Sequence, residues 1–309
     1  MKPIEFRELT RVHGSRAIVD HLTCTVRPGR VTGFLGPNGA GKSTTLRMLS
    51  GLTRPTSGTA TIGGRRHVDQ PDPIRRMGVL LDPQAAHPGR RARDHLRVLA
   101  ASHRLPRARV DAVLELAGLE SAARDRVGTF SLGMRQRLGV AAALLGDPEV
   151  LVLDEPTNGL DPEGIVWIRE LMRSLTREGR TVLVSSHLMA ESAAFVDHVI
   201  VLGRGRLLAD SSLPEFLDSH STPRVRVRTS EPARLATAVT EAGFHMTRAA
   251  SGSWVIEGMR ARDLGDLAAS VGAALSELSD ERASLEEAYL TLTAEHAAFA
   301  SRARSTTDA

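Results

Sequence analysis

The sequence predicts an α/β fold built on a parallel sheet and followed by a smaller α+β region, and three stretches carry that prediction. Val31-Thr32-Gly33-Phe34-Leu35 reads as a short buried strand that runs into a glycine-rich turn and then into the helical pattern of residues 45–50. Val150-Leu151-Val152-Leu153 is an unbroken apolar run, as expected of a parallel strand covered on both faces, and it delivers Asp154 and Glu155 at its carboxyl end. Thr181-Val182-Leu183-Val184 is a third strand, ending in Ser185-Ser186-His187. Three strands that each end in polar residues describe an open sheet whose chemistry gathers along one edge.

Size and composition narrow the function. With 309 residues, 41% of them hydrophobic, the chain can bury a sizeable core in one large domain or two ordinary ones. No stretch approaches the roughly 18 uninterrupted apolar residues of a membrane-spanning helix. Residues 1–7 scatter charge through the start and lack the apolar core of a secretory signal, so a cytoplasmic protein is expected. The one cysteine, Cys24, sits in an alternating strand-like stretch and reads as a buried thiol rather than part of a disulfide or metal cluster. Forty basic against 36 acidic residues give a formal charge of +4, too near balance for the concentrated basic stripe of a nucleic-acid binder. Only Lys2 and Lys42 among those cations are lysines. A compact ammonium at position 42, in a chain that otherwise uses arginine, marks that position.

Lys42 falls inside Gly36-Pro37-Asn38-Gly39-Ala40-Gly41-Lys42-Ser43-Thr44, which fits GxxxxGK[ST] between a strand and a helix. Glycines let successive backbone N–H groups curl around a phosphate at the positive end of the following helix. In this pattern Lys42 reaches the β- and γ-phosphates of ATP and the Ser43 hydroxyl holds Mg²⁺. Asp154 is placed to bind Mg²⁺ directly or through water, while Glu155, facing another way, can polarise the water that attacks the γ-phosphate. His187, arriving from a neighbouring strand, is a candidate γ-phosphate contact.

With these blocks in place the chain resembles the ATP-binding-cassette (ABC) ATPases, over motifs spanning residues 4 to 215. The resemblance makes residues 36–44 the Walker A loop, residues 150–155 the Walker B strand, Asn158-Gly159-Leu160-Asp161 the D-loop and His187 the switch histidine. The family signature appears between the Walker elements as Phe130-Ser131-Leu132-Gly133-Met134-Arg135-Gln136-Arg137. It keeps the serine and second glycine of LSGGQ, whereas Leu132 and Met134 depart from the commonest letters. Ser131 opens a helix whose amides and hydroxyl can embrace an anion, and Gly133 permits close backbone approach. In the family that anion is the γ-phosphate held by a second copy, so the resemblance implies a head-to-tail homodimer around two ATP molecules. It further implies a P-loop NTPase cassette, with a RecA-like core, an antiparallel β part and a helical subdomain, working on separate transmembrane permease subunits at the inner face of the membrane.

Two positions depart from the family pattern. The coupling loop usually carries a glutamine after the strand near Met77-Gly78-Val79-Leu80-Leu81; Asp82 falls at that place and Gln84 two residues later, and both stay candidates. The adenine-stacking position, ordinarily aromatic, falls on His13.

The expected organisation is an ATPase domain over residues 1–218, with helical residues 85–148 inside it, a polar joint at 219–223, a small α+β domain over 224–299 and a disordered tail at 300–309. In the helical part, residues 94–103, 107–117 and 131–145 carry helix-spaced apolar positions. In the small domain, residues 224–228 and 254–256 read as strands, the first with a solvated basic face, and 232–242, 263–275 and 284–290 as helices. The last resembles the tail of drug-export ATPases of the daunorubicin-resistance kind. A transport ATPase, leaning to export of drugs, antibiotics or other hydrophobic compounds, is the leading expectation. An importer ATPase shares every catalytic residue, while a soluble ABC protein of translation or DNA repair is disfavoured by the single cassette and the short insert.

Overall fold

The computed structural model describes residues 1–249, 252–281 and 284–294; the tail expected at 300–309 lies outside the described residues. The chain divides into two compact units between Leu213 and Pro214, ahead of the boundary expected at residue 218. The division falls at a strand–helix junction, where the chain passes directly from β-strand into helix without an intervening linker.

The first unit runs β1 (Ile4–His13), β2 (Arg16–Val26), β3 (Val31–Leu35), α1 (Lys42–Leu49), β4 (Ser57–Ile62), α2 (Pro73–Arg76), β5 (Met77–Leu80), α3 (Ala92–Ser102), α4 (Ala108–Leu116), α5 (Leu132–Ala143), β6 (Val150–Asp154), α6 (Pro162–Arg177), β7 (Thr181–Ser186), α7 (Met189–Ser192), β8 (His198–Gly203) and β9 (Arg206–Ser212). A six-stranded sheet has the order β5-β6-β7-β3-β8-β9, parallel except for the antiparallel edge strand β9. Its central strands are buried on both faces, which is why they read as apolar runs. A second sheet, β2-β1-β4, is antiparallel. Its inward side chains, among them Phe6, Leu22, Cys24 and Ile62, share one core with Phe34, Leu46 and Val152. The Phe6 and Phe34 rings stack with centroids 6.3 Å apart. Burial in that core pushes the Cys24 thiol far above its ordinary pKa.

The three helices expected between the sheet strands form as α3, α4 and α5. Trp167 of α6 ties them to the core: its Nε1 donates to the Leu116 carbonyl at 2.8 Å, and the Arg137 guanidinium lies 4.8 Å from its ring centre.

The second unit begins within α8 (Leu213–His220) and continues β10 (Arg224–Thr229), α9 (Pro232–Glu241), β11 (Met246–Arg248), β12 (Trp254–Glu257), α10 (Ala261–Ser270) and β13 (Leu275–Glu281). This β-α-β-β-α-β order with an all-antiparallel sheet β11-β12-β10-β13 is a ferredoxin-like arrangement. Val225, Val227 and Ile256 pack on Leu235, Val239 and Leu264. The helix expected over 263–275 ends at Ser270, because the turn at Gly272 adopts φ 67° and Leu275 already opens β13. The arginines of β10 are paired: Arg224 with Glu257 at 3.0 Å, Arg228 with Glu277 at 2.7 Å, and Arg226 with Glu281. Carboxylates on the flanking strands therefore cancel the basic face expected from sequence. Residues 285–294 are helical.

Candidate active site

The turn between β3 and α1 forms the floor of a cleft of about 380 Å³, lined by Ile18, residues 37–44, Glu155, Asn158 and His187. Gly41, the N-cap of α1, adopts φ 101°, and a Cβ there would stand 2.7 Å from the Ile18 carbonyl, so only glycine fits this turn. The first turn of α1 directs N–H groups without intrahelical partners into the cleft, where they and the helix dipole favour an anion.

Lys42 opens α1 and is 6% exposed. Its Nζ donates to the Gly36 carbonyl at 2.7 Å and the Pro37 carbonyl at 3.4 Å, and stands 3.6 Å from Glu155 Oε1. The other carboxylate oxygen of Glu155, Oε2, accepts from the His187 backbone N–H at 3.3 Å and lies 2.8 Å from His187 Nδ1. One carboxylate thus bridges the loop lysine and a histidine from the next strand. Asp154, at the end of β6, accepts a short hydrogen bond from the Ser185 hydroxyl.

Glu155 itself is strained: its φ of 51° lies in the left-handed region, which costs a non-glycine residue roughly 1–2 kcal/mol. The Glu155 N–H donates to the Ser185 carbonyl at 3.2 Å and to its hydroxyl at 3.1 Å. The two adjacent acids have separate partners, Asp154 the Ser185 hydroxyl and Glu155 the side chains of Lys42 and His187.

Ser131 is the N-cap of α5, its hydroxyl accepting from the Met134 N–H at 3.1 Å, and Leu132 beside it is 45% exposed. Gly133 packs on the loop that follows Glu155, since a Cβ there would meet the Gly159 carbonyl at 3.0 Å. Asp161 is the N-cap of α6, accepting from the Gly164 N–H at 2.9 Å. None of Ser131, Leu132, Gly133 or Met134 lines the cleft of its own chain.

Three expected site residues stand apart. Asp82 and Gln84 are exposed and share a turn, Asp82 Oδ1 accepting from the Gln84 N–H at 2.8 Å, and neither lines the cleft. His13 is exposed at the end of β1, outside the cleft lining. Asn158, the first residue of the expected D-loop, lines the cleft, and Ile18 on β2 supplies lining that sequence reasoning did not single out. Ile18 carries no local signal: only the approach of β2 to Gly41 brings it there.

Comparison with known proteins agrees with this geometry. A family model described as ABC transporter matches residues 19–158, and one described as a domain of unknown function matches residues 223–286. The bacitracin transport ATP-binding protein BcrA of Bacillus licheniformis is 44% identical over 210 residues, 67% of this chain and 69% of its own. A Nod factor export ATP-binding protein I of Cupriavidus metallidurans is 41% identical over 222 residues, 70% of this chain and 73% of its own. Among solved structures, an ATP-binding subunit of an ABC transporter superposes with a TM-score of 0.64 at 27% identity, over 70% of this chain and 92% of that one. A dimeric bacterial ABC transporter cassette gives 0.62 at 25% identity, over 68% of this chain and 98% of that one. A phosphate loop, an acid-ended strand and a serine-capped helix in one unit, with relatives of this kind across most of the chain, place the protein in the ABC family as an ATP-binding, ATP-hydrolysing transporter subunit.

Proposed function

We propose that the protein drives export: two copies close head to tail around two ATP molecules, closure moves separate transmembrane subunits, and hydrolysis with phosphate release resets the pair. The observation that carries the ATP-hydrolysing part of this reading is the convergence of Lys42, Glu155 and His187 on one cleft at the phosphate loop. Residues 36–44 and the start of α1 cradle the β- and γ-phosphates, and Lys42 exchanges the Gly36 and Pro37 carbonyls for phosphate oxygens. Glu155 accepts a hydrogen bond from the attacking water, and His187 orients that carboxylate and meets the γ-phosphate. Ser43 and Asp154 would hold Mg²⁺, which neutralises phosphate charge. A hydroxyl and a carboxylate suit a hard cation that keeps water and phosphate oxygens as its other ligands. Among the described residues no group of three or more His, Cys, Asp or Glu side chains forms a separate cage.

Ser131 to Met134, absent from the cleft of their own chain, are free to face the partner's γ-phosphate, and Asp161 sits beside that interface. The exposed turn of Asp82 and Gln84 is assigned to the membrane subunit, at the inner face of the membrane. No described helix is long and apolar enough to cross a membrane, so crossing is assigned to a separate subunit. Bacitracin transport and Nod factor export, in the names of the relatives, support outward transport.

A tagged Glu155→Gln chain, assayed free and pulled down from membranes, tests the proposal. It should bind ATP, turn over at under about a hundredth of the original rate, form an ATP-stabilised dimer and bring down a helical membrane protein. Full turnover would sink the catalytic assignment; a ribosome or DNA in place of the membrane protein would sink the transport assignment.

A further inference from the structure

Gln136 lies in the second turn of α5 and is 1% exposed. Its Nε2 donates to the Glu155 carbonyl at 3.3 Å, while its Oε1, equally buried, has no hydrogen-bond partner among the described residues. An orphaned buried acceptor is a standing cost to stability. Methionine or leucine would fill similar space without it, so packing does not account for an amide here. The polar service that remains is the bond to the Glu155 peptide.

That peptide needs holding. Its left-handed φ of 51° persists only if the surroundings over-determine it. The N–H is held by Ser185 of β7, and the carbonyl by the Asn158 N–H at 3.2 Å and by Gln136. Of these groups Gln136 is the one that comes from α5. The same helix touches the loop again one turn earlier. A Cβ on Gly159 would strike the Leu132 side chain at 2.3 Å, and one on Gly133 would reach the Gly159 carbonyl at 3.0 Å. Two attachments, at Glu155 and at Gly159, make the start of α5 and the loop one body.

We infer that Gln136 is a positioning residue for hydrolysis: its amide fixes the Glu155 peptide to α5, and so sets where the carboxylate stands between Lys42 and His187. A shift at the Ser131 end of α5 then reaches Glu155 of the same chain through one side chain. This inference rests on the assignment of Glu155 as the group that activates water.

The test compares ATPase kinetics and thermal melts of the full chain carrying Gln136→Met or Gln136→Leu, with Glu155→Gln alongside. Melting temperature should be equal or higher, KM for ATP within about twofold, and kcat lower by about tenfold or more. A purely structural amide predicts the opposite pattern, a lower melting temperature and an activity loss that follows the unfolded fraction. Original kcat in either folded variant overturns the inference, and so does failure of both variants to fold, since the amide is held to be dispensable for stability. If Glu155→Gln keeps full turnover, the catalytic assignment falls and takes this inference with it. If Glu155→Gln is inactive while both Gln136 variants turn over normally, the inference alone falls.

Discussion

Lys42 is the residue on which the site turns, because its ammonium contacts two loop carbonyls and Glu155. A buried ammonium that can reach phosphate oxygens contributes charge-assisted contacts, which are stronger than neutral ones. Lys42→Ala should weaken ATP binding by about 1.5–3 kcal/mol, roughly ten- to a hundredfold in Kd, measurable by titration with a non-hydrolysable analogue. Lys42 was legible because its signal is local, a fixed spacing of glycines around one cation. Gln136 and Ile18 were not legible as site residues: the amide meets Glu155 across 19 residues of chain, and Ile18 reaches the cleft through the placement of β2.

Among elements, α5 joins stability to function, for its N-cap is also the proposed contact with the partner's nucleotide. Ser131→Ala removes the bond to the Met134 N–H and should cost about 1 kcal/mol in urea unfolding. Single-chain ATP affinity should stay unchanged while the ATP-stabilised dimer weakens in sedimentation, because Ser131 lies outside its own cleft. Helices α3, α4 and α5 were readable from apolar spacing, and the start of α5 from its cap Ser131, whereas α6 with its cap Asp161 was not read from sequence. Strand β13 was not. Its sequence, Leu-Ser-Glu-Leu-Ser-Asp-Glu, carries two apolar residues in seven, and its pairing with β10 is what makes it a strand. The same pairing supplies the glutamates that neutralise Arg226 and Arg228, invisible to any local count of charge.

For the molecule as a whole, acid should weaken the fold partly through Asp147. Burial raises its carboxyl pKa, but the hydrogen bond and charge of Arg180, with Arg109 and Arg75 nearby, outweigh burial and hold it below the ordinary value. A lowered folded-state pKa gives stability that is present above the unfolded value, about 4, and lost as pH falls through the folded one. Asp147→Asn should therefore destabilise at pH 7 by less than about 1 kcal/mol, since the carboxylate is 52% exposed, and the difference should shrink steadily as melts are taken below about pH 4. Strands β3, β5, β6 and β7 were legible one by one, whereas β8 and the order β5-β6-β7-β3-β8-β9 were not, because the parallel neighbours are set by crossovers and not by adjacent residues.

The scarcity of lysine has a chemical consequence. Besides the amino terminus, the chain offers amine-selective reagents two targets, Lys2 and Lys42, and the second is sheltered inside the phosphate loop. Acylation at Lys42 would be slow in the empty protein and slower still with nucleotide bound. The ratio of label at Lys42 to label at Lys2, read by mass, would then report site occupancy with the first lysine as its internal standard and no engineered probe.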